Sequence, residues 1–160
     1  MRNILILIFL FSLTAIPAAA LCSEPDLQTE FSALAGTEAA LKTLSRQIDT
    51  ATGAEKEPDR IYAMQDMAGL CKSSRMQVHS LNSLFSVVKL VKMDQKFQSK
   101  EAALLKMKCG YAYNDFTRRQ AFVQDIMKKA ADQSLLDLAY IFDAQLKIVV
   151  NKLKIINSKL

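Results

Sequence analysis

The residues equipped for chemistry are few. His79 is the only histidine in 160 residues, and its neighbours Val78 and Ser80 belong to no motif. One imidazole cannot build a multi-histidine metal site, and it leaves any Ser-His-Asp or Cys-His arrangement a single candidate base. No H-E-x-x-H, C-x-x-C-H or Gly-rich phosphate loop occurs. The carboxylates are dispersed along the chain, so no pair can be nominated as general acid and base. The sequence therefore names no catalytic residue, no metal ligand and no cofactor, and His79 reads as a surface or partly packed side chain. One sulfur-rich face merits weighing. Met64, Met67 and Cys71 fall at i, i+3 and i+7, and soft sulfur ligands can hold Cu(I). Methionine also fills cores, and the interleaved Ile61, Ala68 and Leu70 read as core. Copper binding stands as the minor reading.

The remaining chemistry is that of Cys22, Cys71 and Cys109, and it depends on the compartment. Met1-Arg2-Asn3 is a short basic start, Ile4 to Leu13 is apolar apart from Ser12, and Ala18-Ala19-Ala20 closes the segment. A basic start, a short apolar core and an A-x-A site form a secretory signal peptide. It predicts export, with residues 1–20 removed and residues 21–160 as one mature domain. Pro17 and the shortness of the apolar run argue against an uncleaved anchor, because a bilayer span takes about 20 residues. Lipid attachment at Cys22 would need a small residue before it, and Leu21 is large. The expected localisation is a bacterial periplasm, or secretion. Disulfides persist there, and three cysteines leave at least one thiol outside any internal pair.

The positioning elements are helices. Half of the residues are hydrophobic, and only four Gly and three Pro are present, too few turn formers for a β-rich domain. Apolar residues recur at helical spacing in four stretches. The first runs over about 26–51 with Leu27, Phe31, Leu34, Leu41, Leu44 and Ile48, interrupted by Glu38. Thr52 to Pro58 is the expected loop, with Gly53 as a C-cap and Pro58 at a helix start. The second runs over about 59–93 with Ile61, Met64, Ala68, Cys71, Val78, Phe85 and Val88; Arg75 and Asn82 weaken its seam. A turn is expected within 94–99. The third runs to about 131 with Leu105, Cys109, Ala112, Phe116, Val123, Ile126 and Ala130. Ser134 is expected to cap the fourth, where Leu135, Ala139, Phe142, Leu146, Val149, Leu153, Ile156 and Leu160 step by four and three in alternation. That is a heptad seam, which needs partner helices. The fold class is all-α, an antiparallel bundle of about four helices, roughly 40–50 Å long at 1.5 Å per residue.

Bundle geometry restricts the cysteines. If the second and third helices fold back near residue 96, Cys109 lies level with residue 83 and Cys71 with residue 121. The offset is then about 18 Å, against the roughly 7 Å between Cα atoms that a disulfide tolerates. Cys22 sits nearer Cys109, so Cys22–Cys109 is the favoured pairing and Cys71–Cys109 follows only if a helix is broken. Unpaired, Cys71 and Cys109 are small buried hydrophobes.

The formal charge is +5 and unevenly spread. Residues 21–57 carry three bases against seven acids, and residues 58–160 carry 17 bases against nine acids. An acidic first helix beside basic neighbours is the first reading; a basic face for an anionic partner is the second. Arg118-Arg119 and Lys128-Lys129 lie on the third helix. Lys147, Lys152, Lys154 and Lys159 crowd the last, where Ile148 and Ile155 lie away from the seam. Lysines at the rim of a packed terminal helix suit its dipole; the same four are the candidate surface for a partner protein or an anionic membrane. Export and the lack of an aromatic stacking platform exclude nucleic acid as the favoured partner. The expectation is an exported, non-enzymatic helical protein that binds or scaffolds a protein partner or another copy of itself. The alternative is a membrane-surface binder.

Overall fold

The computed structural model describes residues 24–91 and 98–160. The signal segment 1–20, Cys22 and residues 94–97 of the expected 94–99 turn lie outside the described residues, while Gln98 and Ser99 already belong to a helix. The rest is helical: α1 Glu24–Ala54, α2 Pro58–Val91, α3 Gln98–Lys129 and α4 Gln133–Lys159. The helices pack against each other as a four-helix bundle with no strand among the described residues.

Contacts between helices define the topology. Lys89 of α2 bonds Gln28 of α1, His79 meets Glu38 and Lys72 meets Asp49, so rising numbers on one helix match falling numbers on the other. Lys152 and Lys159 near the end of α4 reach Glu30 near the start of α1. Neighbouring helices therefore run antiparallel, in the order α1, α2, α3, α4 around the bundle. The α1–α2 and α3–α4 hairpins are the tightest pairings, α1–α4 comes next, and α2–α3 is the loosest adjacent pair among the described residues.

The apolar periodicity explains the core. Phe31, Leu34, Leu41, Leu44 and Ile48 of α1 are buried, as are Met64, Ala68, Cys71, Val78 and Phe85 of α2. Leu105, Cys109, Ala112, Phe116 and Val123 of α3 join them, with seven of the eight α4 seam residues, Leu135 to Ile156. Phe31 and Phe85 stack with ring centroids 4.0 Å apart and planes within 5°. Val87 and Val88, a β-branched pair, lie within α2, where Val88 packs against the core and Val87 is exposed.

Two helix ends differ from expectation. The first loop spans only residues 55–57, and Gly53 lies inside α1 without positive φ. The helix continues because the Thr52 hydroxyl donates to the Ile48 carbonyl at 2.8 Å and Glu55 N–H to Ala51. Glu55 then ends it, its Oε1 accepting from the N–H groups of Lys56 and Glu57 at 2.8 and 3.0 Å. At α4 the cap is Asp132, not Ser134: Asp132 has extended backbone and accepts from Leu135 N–H at 3.0 Å. Ser134 instead donates to the Asp132 carboxylate. A carboxylate at an N-cap also meets the positive end of the helix dipole.

Candidate partner-binding face

The residues with chemical potential are used internally. Cys71 and Cys109 are free and buried. Burial pushes both thiols up to about 12, and Cys71 donates to the Leu41 carbonyl at 3.2 Å. Their levels follow from Arg119, whose Nη1 donates to the hydroxyls of Ser73 and Ser74 at 2.8 Å each. Residue 119 beside residue 73 is the register of a hairpin folded back at 96, so the two sulfurs lie about 18 Å apart along the bundle. Cys22, the other expected partner, is outside the described residues. Met64 and Met67 are as buried as Cys71. No group of three His, Cys, Asp or Glu able to hold a metal occurs among the described residues. The sulfur face is core.

His79 is exposed, its Nδ1 3.1 Å from Glu38 Oε1, and Asn82 Nδ2 donates to Glu38 Oε2 at 3.5 Å. Glu38 and Asn82, which interrupt the α1 and α2 patterns, thus share the rim between those helices with His79, Lys72 and Asp49.

The four lysines of α4 separate into three roles. Lys152 Nζ lies 2.8 Å from Glu30 Oε2 and Lys159 Nζ 3.4 Å from Oε1. Glu30 is 8% exposed; the Lys152 hydrogen bond leads in holding its carboxyl below the usual carboxylate range, against the desolvation that would raise it. Lys147 pairs with Asp143 at 2.6 Å. Asp143 is buried and also accepts from Gln120 and Gln124 of α3 at 3.3 and 3.2 Å. Lys154 is exposed and makes no ion pair among the described residues. Glu30 and Asp143 were not singled out by periodicity; for Asp143 the available signal was its place four residues before Lys147.

What remains unsatisfied is apolar surface, and it lies on α2, α3 and α4. Tyr62, Met76 and Val87 of α2 are exposed, with Leu104, Met107, Tyr111 and Phe122 of α3. Of the other exposed large hydrophobics, Tyr140, Ile141 and Ile148 belong to α4, and α1 contributes none among the described residues. The α2 residues are spaced by 14 and 11 and the α3 residues 104, 111 and 122 by 7 and 11, which keeps each set on one line of its helix. Two grooves lie on the α2–α3 side. The lower, of about 410 Å³, is lined by Leu81, Leu84, Leu104, Lys108 and Tyr111 among others. The upper, of about 430 Å³, has Ala63, Phe122, Ile126 and Leu135 beneath a rim of Asp59, Arg60, Asp125, Lys129 and Asp132. Between them Arg119 braces α3 against α2: its Nε and Nη2 donate to Asp115 Oδ2 at 3.1 and 2.7 Å, and it lies over the Phe116 ring at 5.4 Å.

No helix among the described residues is long and apolar enough to cross a membrane. Comparison with protein-family models, with curated proteins and with solved structures finds no match to this chain.

Proposed function

We propose that this chain is an exported, non-enzymatic binding protein whose α2–α3 face engages a protein partner. The observation that carries the reading is the exposure of Tyr62, Met76 and Val87 on α2 and of Leu104, Met107, Tyr111 and Phe122 on α3, the loosest adjacent pair among the described residues. Soluble single chains rarely leave large contiguous apolar patches uncovered, and those rimmed by polar residues mark interaction sites. Aromatic and Met side chains are enriched at such interfaces. Export is supported by the Met1–Ala20 signal pattern. The membrane-surface alternative is weaker, because Lys152 and Lys159 already neutralise Glu30 inside the bundle.

The test is site-specific photocrosslinking in the native compartment, with the probe at Tyr111 and, as a control, at Thr43 on α1. A discrete protein adduct from position 111 alone is the expected result. Equal labelling from both positions, or none, refutes the assignment of this face.

A further inference from the structure

We infer that the partner segment is an acidic amphipathic helix, laid along the lower groove between α2 and α3 with its carboxylates on Lys100, Lys108 and Arg118. The inference rests on the binding reading above and names the chemistry of that partner.

Charge is the first argument. Lys100, Leu104, Met107, Tyr111 and Arg118 step by four, three, four and seven, so they share one line of α3. Both cations on that line are exposed, and so is Lys108, which lines the lower groove. None of the three makes an ion pair among the described residues. The neighbouring acids do not answer them. Asp115 is engaged by Arg119 at 2.7 Å, and Glu101 in the first turn of α3 is half-buried. Residues 74–91 of α2, which supply the other wall of the groove, contain no Asp or Glu. The acids of α2, Asp59 and Asp66, stand in the first third of that helix, away from the groove. The lower half of the face is therefore cationic, and the surface complementary to it is anionic. On α4, by contrast, Lys147, Lys152 and Lys159 are already paired with Asp143 and Glu30.

Shape is the second argument. The groove of about 410 Å³ is concave, and Leu81, Leu84, Leu104 and Ala112 make its apolar part. A concavity takes the side chains of a rod, whereas a broad bilayer touches only what protrudes. Backbone chemistry is the third. Both walls are helices, whose N–H and C=O groups bond within the helix. An extended segment would find no strand edge to join, and its own amides would lose water without gaining partners. A helix satisfies its backbone internally and offers side chains alone. Lys100 to Arg118 covers about 27 Å, or about five turns, enough for carboxylates at both ends and apolar side chains between them.

Fluorescence anisotropy on protein expressed from the full 160-residue chain tests the inference. The probe is a labelled synthetic helix of about five turns, with Leu along one face and Glu on either side of it. The control probe has Lys in place of every Glu. The Glu probe is expected to bind at least about tenfold more tightly than the Lys probe, about 1.4 kcal/mol, and to weaken as salt rises from about 0.05 to about 0.3 M. Lys108→Glu combined with Arg118→Glu, both at exposed positions, is expected to weaken the Glu probe at least about tenfold, with the helical circular dichroism retained. Tyr111→Ala is expected to weaken both probes, and Lys154→Glu on α4 to leave both unchanged. Equal affinity for the two probes overturns the inference, as does a Glu probe insensitive to the double charge reversal. Phosphatidylglycerol vesicles bound through Lys108 and Arg118 while the Glu probe stays free also overturn it. A Tyr111 photocrosslinking probe that captures a discrete protein while the Glu probe stays free overturns the acidic helix and leaves the binding reading standing.

Discussion

At the residue scale, burial decides what each reactive group is able to do. Thiolates are the reactive form of cysteine, and at Cys71 and Cys109 the thiolate is suppressed by thiols held near 12. An aromatic disulfide reagent at about pH 8 is therefore expected to leave both untouched in the native state and to label both in denaturant. Rapid native labelling of either would mean that its helix opens locally. Arg119 is the converse case, a charge made structural. It joins exposed α3 surface to Ser74, which is fully buried. Arg119→Ala is expected to destabilise the fold by about 1–3 kcal/mol, because bonds to charged groups are lost and a buried hydroxyl is left short of its donor. Arg119→Lys should recover only part, since an ammonium cannot fork to Asp115 and both serines. Chemical denaturation of the three proteins makes the comparison.

At the element scale, the last helix carries two apolar stripes with different fates. Leu146 lies in the heptad seam and is fully buried, whereas Ile148, two residues on, is 40% exposed. Leu146→Ala is expected to cost about 2–5 kcal/mol through lost burial and the cavity left behind. Ile148→Ala is expected to change stability by less than about 1 kcal/mol. Thermal melts of the two variants decide it; equal losses would mean that the outer stripe is also packed. The cap follows the same logic of local satisfaction. Asp132→Ala is expected to fray the start of α4, seen as faster amide exchange at Leu135 and Leu136, while Ser134→Ala changes these rates less.

At the scale of the whole molecule, Glu30 closes the ring. It ties α1 to α4 through two lysines, and its carboxyl titrates below the ordinary value of 4.5. A carboxyl depressed on folding adds stability while the pH is above its unfolded value. That contribution fades as the pH falls through the folded value. Stability should thus drop below about pH 4.5 more steeply in the native sequence than in Glu30→Gln, which lacks the titration. At neutral pH Glu30→Gln should be less stable by about 1–2 kcal/mol. Denaturant midpoints at several pH values measure both; parallel pH profiles would show that the clamp contributes nothing to acid sensitivity.

The sequence by itself determined the helices and their core, because a 3.6-residue period places side chains on faces regardless of what those faces meet. Phe31 to Ile48 and Leu135 to Ile156 were legible as seams and are buried as such. The hairpin register that separates Cys71 from Cys109 was legible too, since it follows from helix rise and chain length. The helix ends were less so: Glu55 and Asp132 won over Gly53 and Ser134 by hydrogen bonds of a few ångströms that no period encodes. The fate of every second face was decided only by the tertiary structure. An acidic first helix beside basic neighbours was legible from charge, but only the packing of α1 against α4 selects Glu30 as the partner of Lys152 and Lys159 and leaves Met107, Tyr111 and Phe122 exposed. Periodicity supplies an angle around one helix. Whether that angle looks at water or at a neighbour depends on where the other three helices stand.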